Sequence, residues 1–121
     1  MAAPHVHEAP KPILERVGGE LNAAMMSMQW LEFLLAKVGP DKLPILLDYY
    51  VKLNWIGHEV KNELLLRTRG VSQAVAKEFG DWRLNPADSL KSLLFIYKVR
   101  GSELDREIIE KLEKDLQAAR Q

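Results

Sequence analysis

Residues 30–56 read WLEFLLAKVGPDKLPILLDYYVKLNWI, and this stretch decides the fold class. On both sides of Gly39 its apolar residues recur every three or four positions, which is the spacing of helices that bury one face. A glycine just after a helix and a proline beyond it, here Pro40, are typical of a helix end. The stretch therefore predicts two helices, at about 20–38 and 42–53, with a break between them.

The first of these helices carries apolar side chains on two faces, which is typical of a helix at the centre of a bundle. In the second helix, Tyr50 is expected to face inward, and Tyr49 or Asp48 to reach solvent or a turn amide. The two faces predicted for the first helix are Leu21, Ala24, Met25, Met28, Leu31, Leu35 and Val38 on one side, and Met26, Trp30, Phe33 and Leu34 on the other.

Helical periodicity continues to the C-terminus, and no segment alternates convincingly enough to predict a strand. Asn54 is a predicted N-cap, and Asn85 followed by Pro86 is the strongest helix-start signal in the chain. The further helices are predicted at about 55–69, 71–79, 86–100 and 102–119. The fold class is therefore all-α, as a single small irregular or orthogonal bundle of about five to seven short helices.

The first twelve residues differ in composition from the rest. They read MAAPHVHEAPKP and hold three of the six prolines, which remove backbone donors and disfavour helix. Residues 1–12 are expected to form a flexible N-terminal arm or linker remnant. Residues 13–121 are expected to form the helical domain.

Composition excludes several classes of function. The 121 residues include 17 basic and 17 acidic side chains, so the chain lacks the basic excess that a non-specific nucleic-acid binder needs. There is no cysteine, which excludes disulfides, thiolate catalysis and cysteine-based zinc sites. No signal-peptide pattern or bilayer-length apolar run is present, so we expect an intracellular soluble protein without membrane insertion.

The residues that could carry chemistry form no recognisable constellation. His5 and His7 lie in the proline-rich arm, which supplies too few rigid ligands for a metal. His58 has no apparent nucleophile or orienting partner. No phosphate-binding glycine motif occurs. We therefore expect no catalytic, cofactor or metal site, and a protein that is not an enzyme.

Aromatic and apolar residues offer the clearest hints of partner binding. Trp30, Trp55 and Trp82 are expected mainly in the core, with one or two of them available to a partner. The last predicted helix has a narrow apolar stripe, which either this domain or another chain must cover. Its predicted members are Leu104, Ile108, Ile109, Leu112 and Leu116.

A longer pattern resembles a known family. It consists of WLEFL at 30–34, then Val-Gly, Leu-Pro, a Leu-Asp-Tyr-Tyr ending at Tyr50, and Trp-Ile at 55–56. A later segment, residues 88–101, reads DSLKSLLFIYKVRG. Together they closely resemble the domain shared by the archaeal flagellum (archaellum) accessory proteins FlaD and FlaE. FlaD proteins have a long upstream region that is missing here, so the chain resembles FlaE or an excised FlaD domain.

The resemblance implies a non-enzymatic cytosolic scaffold or adaptor at the base of the archaellum. Its role would be to link motor components and chemotaxis signalling for motility. The implied partners are other accessory proteins of the FlaC, FlaD and FlaE type, the motor ATPase or its ATP-binding regulator, and a chemotaxis adaptor. It implies no cofactor and no nucleic-acid partner.

Partner contacts are expected at the turn after Tyr49 and on the last helix. The predicted contact residues are Tyr49, Trp55, Leu104, Ile108, Leu112 and Leu116. A different class of function remains as an alternative, namely a small helical nucleic-acid-binding regulator, since helix–turn–helix proteins also use short helices and glycine turns.

Overall fold

The computed structural model describes residues 10–68 and 85–119, and within these ranges it is helical without strands. The all-α prediction is confirmed. The described residues contain four helices, whereas five to seven were predicted for the whole chain, including one at 71–79 that lies outside the described ranges. The elements are α1 (Leu21–Lys52), α2 (His58–Thr68), α3 (Pro86–Arg100), a 3-10 turn (Glu103–Asp105) and α4 (Arg106–Ala119).

α1 is one element where two helices were predicted. The predicted break is present, because Gly39 has φ 78° and ψ 165°, outside the helical region. A positive φ of this size costs little only for glycine. The helix resumes at once at Pro40, whose fixed φ suits a first helical turn. The two segments of α1, residues 21–38 and 40–52, are joined by a kink rather than a loop.

α2 begins later than predicted. Its first residue is His58, and Asn54 is not an N-cap as predicted, since it has a left-handed φ of 63°. The Asn54 side chain instead donates to the backbone oxygens of Pro10, at 2.8 Å, and Lys11, at 3.3 Å. The helix predicted at 71–79 and Trp82 lie outside the described residues.

An extended N-terminal segment explains what Asn54 does. The Leu14 amide donates to the Trp55 oxygen at 3.0 Å, and the Leu14 oxygen accepts from Gly57 at 2.9 Å. Leu14 itself is buried in the core. A Cβ on Gly57 would lie 3.1 Å from the Glu15 oxygen, so this close approach favours glycine. Residues 10–12 of the predicted arm therefore contact the domain, and residues 1–9 lie outside the described part.

The main core forms around α1, which packs against both α2 and α3. Its buried face is offset from the predicted stripes: Leu21 and Met25 are exposed, whereas Ala23 and Ser27 are buried. Tyr50 is buried and Tyr49 is exposed, as predicted. The principal buried residues are Leu14, Trp30, Leu31, Leu34, Val38, Leu43, Leu46, Leu47, Tyr50, Ile56, Val60, Leu64, Ile96 and Val99.

A buried serine of α3 holds both segments of α1. The hydroxyl of Ser92 accepts a hydrogen bond from Trp30 Nε1 at 3.3 Å and another from the Tyr50 hydroxyl at 2.8 Å. Trp30 and Tyr50 lie on opposite sides of Gly39, and all three side chains of this Ser92 node are buried. The node therefore fixes the kink of α1 against α3.

The predicted start and end of α3 are confirmed. The Asn85 side chain accepts from the Asp88 amide at 2.8 Å, and the Asp88 side chain accepts from the Asn85 amide at 3.4 Å, which forms a capping box. Gly101 ends the helix with a φ of 68°. Asp88 also pairs with Lys37 of α1 at 3.4 Å. This ion pair helps to set the register of the two helices.

Replacing the hydroxyl of Ser92 tests the node. Ser92→Ala leaves two buried donors without an acceptor, and each costs about 1–3 kcal/mol. We expect the free energy of unfolding to fall by about 2–6 kcal/mol in urea titrations. The half-buried Ser89→Ala on the same helix is the control and should change it by less than about 0.5 kcal/mol. Equal effects of the two substitutions would contradict the role given to Ser92.

The Tyr50 hydroxyl adds a pH dependence to stability. Burial, the largest cause, raises the pKa of Tyr50 to about 12, above its ordinary value of 10.0. The folded chain therefore favours the protonated phenol. The stability that this preference adds to the fold is complete below pH 10 and is lost as the pH rises to 12. We expect it to remove about 2–3 kcal/mol of stability over that range.

Tyr50→Phe is the matched variant for this effect. At pH 7 it should be less stable by about 1 kcal/mol, because one hydrogen bond is lost. The difference in the free energy of unfolding between the parent chain and Tyr50→Phe, measured in urea titrations, should shrink as the pH rises and reverse its sign near pH 12. A constant difference from pH 9 to 12 would mean that Tyr50 does not titrate with the fold.

Candidate functional site

The apolar surfaces of α1 and α4 are the candidate functional sites, and α4 is the less predictable of the two. α4 packs against α3 through a cluster separate from the main core. Its buried members are Leu94, Leu112 and Leu116, with Ala87, Leu90, Leu93, Tyr97 and Ile109 packed against them. The C-terminal part of the predicted stripe is therefore covered by the chain itself.

The stripe predicted on the last helix does not form a single face. Leu112 is 7% exposed and Leu116 8%, whereas Leu104 is 88% exposed and Ile108 41%. A helix turns by about 100° per residue, so each step of four residues drifts by about 40°. Between Ile108 and Leu116 the drift reaches about 80°. Leu104 lies before α4, in the 3-10 turn. The buried side of α4, which faces α3, continues the line of Asp105 and not that of Leu104.

Asp105 lies three residues after Ser102, which is the spacing of a capping box, but its carboxylate pairs with Arg100 instead. The Ser102 hydroxyl accepts from the Leu104 amide at 3.2 Å, but the reciprocal contact expected from a capping box is replaced by an ion pair. Asp105 is buried, and its carboxylate lies 3.1 Å from Arg100 Nε. Arg100 also donates to the Ile13 oxygen at 3.2 Å. Arg100 therefore joins the N-terminal segment to the connection between α3 and α4.

Tyr49 and Trp55 differ in how much they offer to a partner. Tyr49 is 54% exposed. Trp55 is half-buried and stacks on Tyr50, with ring centroids 5.2 Å apart and planes 22° apart. Packing on the core therefore accounts for most of the Trp55 ring, whereas the Tyr49 ring lies largely in solvent.

Sequence reasoning missed two exposed neighbours of Tyr49. Ile45 and Leu53 are also exposed, and the three residues are spaced i, i+4 and i+8. Ile45 and Tyr49 lie on the second segment of α1, and Leu53 is its C-cap. We call Ile45, Tyr49 and Leu53 the kink-segment face. Their i+4 spacing was the available signal, but the sequence does not show which of the many leucines and isoleucines are buried. Exposed apolar side chains grouped on a rigid element are typical of a protein-binding surface.

Polar contacts border the kink-segment face. Asp48, next to Tyr49, pairs with Lys61 of α2. The hydrogen bond from Lys61 is the main cause that holds the pKa of Asp48 below its usual value. This ion pair connects α1 to α2 beside the kink-segment face.

A shallow groove separates the first turns of α1 from α4. Met26 and Ile109 contribute apolar surface to it, and Lys98, Arg106 and Glu113 contribute charges. Lys98 and Glu113 form an ion pair across it at 3.8 Å. The groove is mixed in character, with opposite charges that compensate one another.

Within residues 10–68 and 85–119, no three histidine or acidic side chains are grouped closely enough to hold a metal ion. His58 is exposed at the start of α2, and His5 and His7 lie outside these ranges. No helix in the described part is long and apolar enough to cross a bilayer.

The sequence matches one known protein family. A sequence model of the family described as "Archaeal flagella protein" matches residues 9–101. The match therefore covers the N-terminal segment and α1 to α3, and it ends at Gly101, before α4. No solved structure matches the chain.

Curated relatives come from two methanogens. Flagella-related protein D of Methanocaldococcus jannaschii is 40% identical over 87 residues, which are 70% of this chain and 25% of that protein. Flagella-related protein E of the same organism is 31% identical over 97 residues, 78% of this chain and 68% of the relative. The E protein of Methanococcus voltae is 31% identical over 110 residues, 88% and 80% of the two chains. The chain thus spans about a quarter of the length of the D relatives.

Two substitutions on α4 distinguish its covered side from its exposed flank. Leu112→Asp places a carboxylate against α3, so we expect α4 to separate and its amides to exchange hydrogen at least about tenfold faster. Ile108→Asp, on the exposed flank, should change the exchange less than about twofold. Hydrogen exchange followed by mass spectrometry makes the measurement. Protection of α4 retained in Leu112→Asp would contradict the packing described here.

Proposed function

The chain belongs to the archaeal flagella protein family, and from this premise we propose that it is a non-enzymatic scaffold or adaptor of the archaellum motor. The family match over residues 9–101 carries the proposal, because that region contains all of the main core. The relatives named flagella-related proteins D and E support a part in the archaellum and in motility.

The kink-segment face supports a binding role. Ile45, Tyr49 and Leu53 project from a helix whose position the Ser92 node fixes, so their arrangement costs little ordering on binding. Tyrosine is also enriched among residues that dominate binding energy. We assign the first partner contact to this face, with Trp55 supporting it from behind through its stack on Tyr50.

The 3-10 turn and the start of α4 provide a second proposed contact. Leu104 and Ile108 are exposed and spaced i, i+4, so they form a small apolar patch. Leu112 and Leu116 are buried against α3, so we assign them to this contact within the chain rather than to a partner. The four partner residues predicted near the C-terminus therefore form an exposed pair, Leu104 and Ile108, and a buried pair, Leu112 and Leu116.

The proposed partners follow from the family. They are other accessory proteins of the FlaC, FlaD and FlaE type, the motor ATPase or its ATP-binding regulator, and a chemotaxis adaptor. We propose a cytoplasmic location at the base of the archaellum, where such an adaptor would link the motor to chemotaxis signalling.

Co-purification from a lysate of an archaellated archaeon tests the proposal. The tagged chain should recover archaellum or chemotaxis proteins, identified by mass spectrometry. Tyr49→Glu places a charge on the kink-segment face, and we expect it to reduce that recovery at least about tenfold without lowering the free energy of unfolding by more than about 0.5 kcal/mol.

Leu66→Glu is the matched control for this experiment, because Leu66 is an equally exposed leucine on α2. It should recover the same proteins as the parent chain. Equal recovery by Tyr49→Glu would remove the kink-segment face from the proposed site. Recovery of nucleic acid alone, with salt-sensitive retardation of duplex DNA, would favour the nucleic-acid-binding alternative.

A further inference from the structure

Exposed lysines border the kink-segment face on its own helix. Lys42 lies three residues before Ile45, and Lys52 lies three residues after Tyr49. Residues three apart are neighbours on a helix surface, so each lysine lies beside an apolar side chain of the face. Both lysines are exposed, and neither forms an ion pair with another described residue. The apolar centre of the face therefore has a positive charge towards each end.

A third lysine lies close to the C-terminal end of the face. The Asn54 side chain donates to the backbone oxygens of Pro10 and Lys11, and Asn54 directly follows Leu53. Lys11 is exposed, and it too is without an ion-pair partner in the described part of the chain. The N-terminal segment thus adds a positive charge where the face ends.

Asp48 does not compensate these charges, because it is already surrounded by basic groups. The hydrogen bond from Lys61 is the main cause that lowers the pKa of Asp48, and the charges of Lys52 and His58 lower it further. One carboxylate therefore faces two lysines and a histidine.

The other acidic side chains in this region leave the same excess. Glu59 of α2 pairs with Arg16 at 3.9 Å. Glu15 lies beyond the face, where its backbone oxygen approaches Gly57. Asp41 is exposed at the start of the second segment of α1, next to Lys42. The basic side chains that border the kink-segment face thus outnumber the acidic ones, although the whole chain is neutral.

We propose that the kink-segment face binds an acidic amphipathic helix of a partner protein, whose apolar side chains pack on Tyr49 and its two neighbours and whose carboxylates meet Lys42 and Lys52. The inference deepens the proposed adaptor function and rests on it for the identity of the partner. Complementary charges at the border select the partner and speed its association, and the apolar centre supplies most of the affinity.

The shape of the face favours a helix as its occupant. Side chains at i, i+4 and i+8 form one ridge, which extends over about 12 Å at a rise of about 1.5 Å per residue. Such a ridge packs into the groove between two rows of side chains on another helix. A nucleic-acid backbone would contact the lysines, but it has no apolar surface for Ile45 and Leu53.

A second copy of this chain is a poor match for the same face. Lys42 and Lys52 lie towards opposite ends of it. In a parallel contact each lysine would meet its own counterpart, and in an antiparallel contact Lys42 of one copy would approach Lys52 of the other. Like charges placed opposite one another weaken an interface. An acidic helix turns this repulsion into attraction.

Two synthetic helical peptides of about 18 residues are the probes, and fluorescence anisotropy measures their binding to the full chain. Both carry leucines along one face, at i, i+3 and i+7 spacing. The positions that flank the leucines are glutamate in one peptide and lysine in the other. We expect the glutamate peptide to bind at least about tenfold more tightly than the lysine peptide at low salt, and this preference should shrink as the salt concentration rises.

Charge reversal on the chain locates the contact. Lys42→Glu and Lys52→Glu should each weaken binding of the glutamate peptide at least about threefold, and together they should make the lysine peptide the tighter binder. Lys114→Glu makes the same change in net charge at an exposed position of α4, so it is the matched control and should bind as the parent does. Tyr49→Glu should abolish binding of the glutamate peptide, because it places a carboxylate in the apolar centre.

The other outcomes overturn the proposal. Equal binding of the two peptides would mean that charge does not select the partner, and binding of neither would mean that the face does not accept a helix. A stable dimer of the parent chain in light scattering, lost in Tyr49→Glu, would assign the face to a second copy. Retardation of duplex DNA, or sedimentation with vesicles of anionic phospholipid, that is lost on reversal of both lysines would assign it to those surfaces.

Co-purification of archaellum proteins separates this proposal from the proposed function. If the parent chain and the variant with both lysines reversed recover these proteins equally, the acidic-helix proposal fails and the adaptor function stands. If the parent chain recovers none of them but binds the glutamate peptide through Tyr49, the face has the proposed chemistry and the adaptor function fails.

Discussion

The hydrogen bonds that Ser92 accepts from Trp30 and Tyr50 are the constraint on which the structure depends. They tie two segments of one helix to a single atom of another, so the angle at Gly39 is set by α3 as well as by the local backbone. Tyr50 in turn supports the ring of Trp55, and the backbone next to Trp55 holds Leu14. The positions of the N-terminal segment and of α2 therefore follow from a contact made by α3.

Features encoded by neighbouring residues were predictable from the sequence. The break at Gly39 and the helix start at Asn85 and Pro86 each depend on residues within a few positions, and both are present. Asn54 looked equally well suited to cap a helix. Its actual partners are the oxygens of Pro10 and Lys11, more than forty residues earlier in the chain. No local rule distinguishes an asparagine that caps a helix from one that binds a distant backbone.

The candidate site was less predictable for a geometrical reason. A stripe of apolar residues at i+4 spacing drifts around the helix, so the sequence alone does not show where its exposed and buried parts divide. The structure divides the last stripe between Ile108, which is exposed, and Leu112, which is covered. Packing within the chain and binding to a partner both require apolar side chains at helical spacing. The composition of the stripe therefore does not distinguish them. The kink-segment face was missed because its isoleucine and leucine resemble those of the core.

The long sequence separations of these contacts also bear on how the chain folds. Helical domains usually fold fast because most of their contacts are local. Here Trp30 meets Ser92 across 62 positions, and Ile13 meets Arg100 across 87. The entropic cost of closing such loops is paid before the core is complete. This small helical domain should therefore fold more slowly than a bundle of hairpin-connected helices, and during synthesis its core closes only after α3 has left the ribosome.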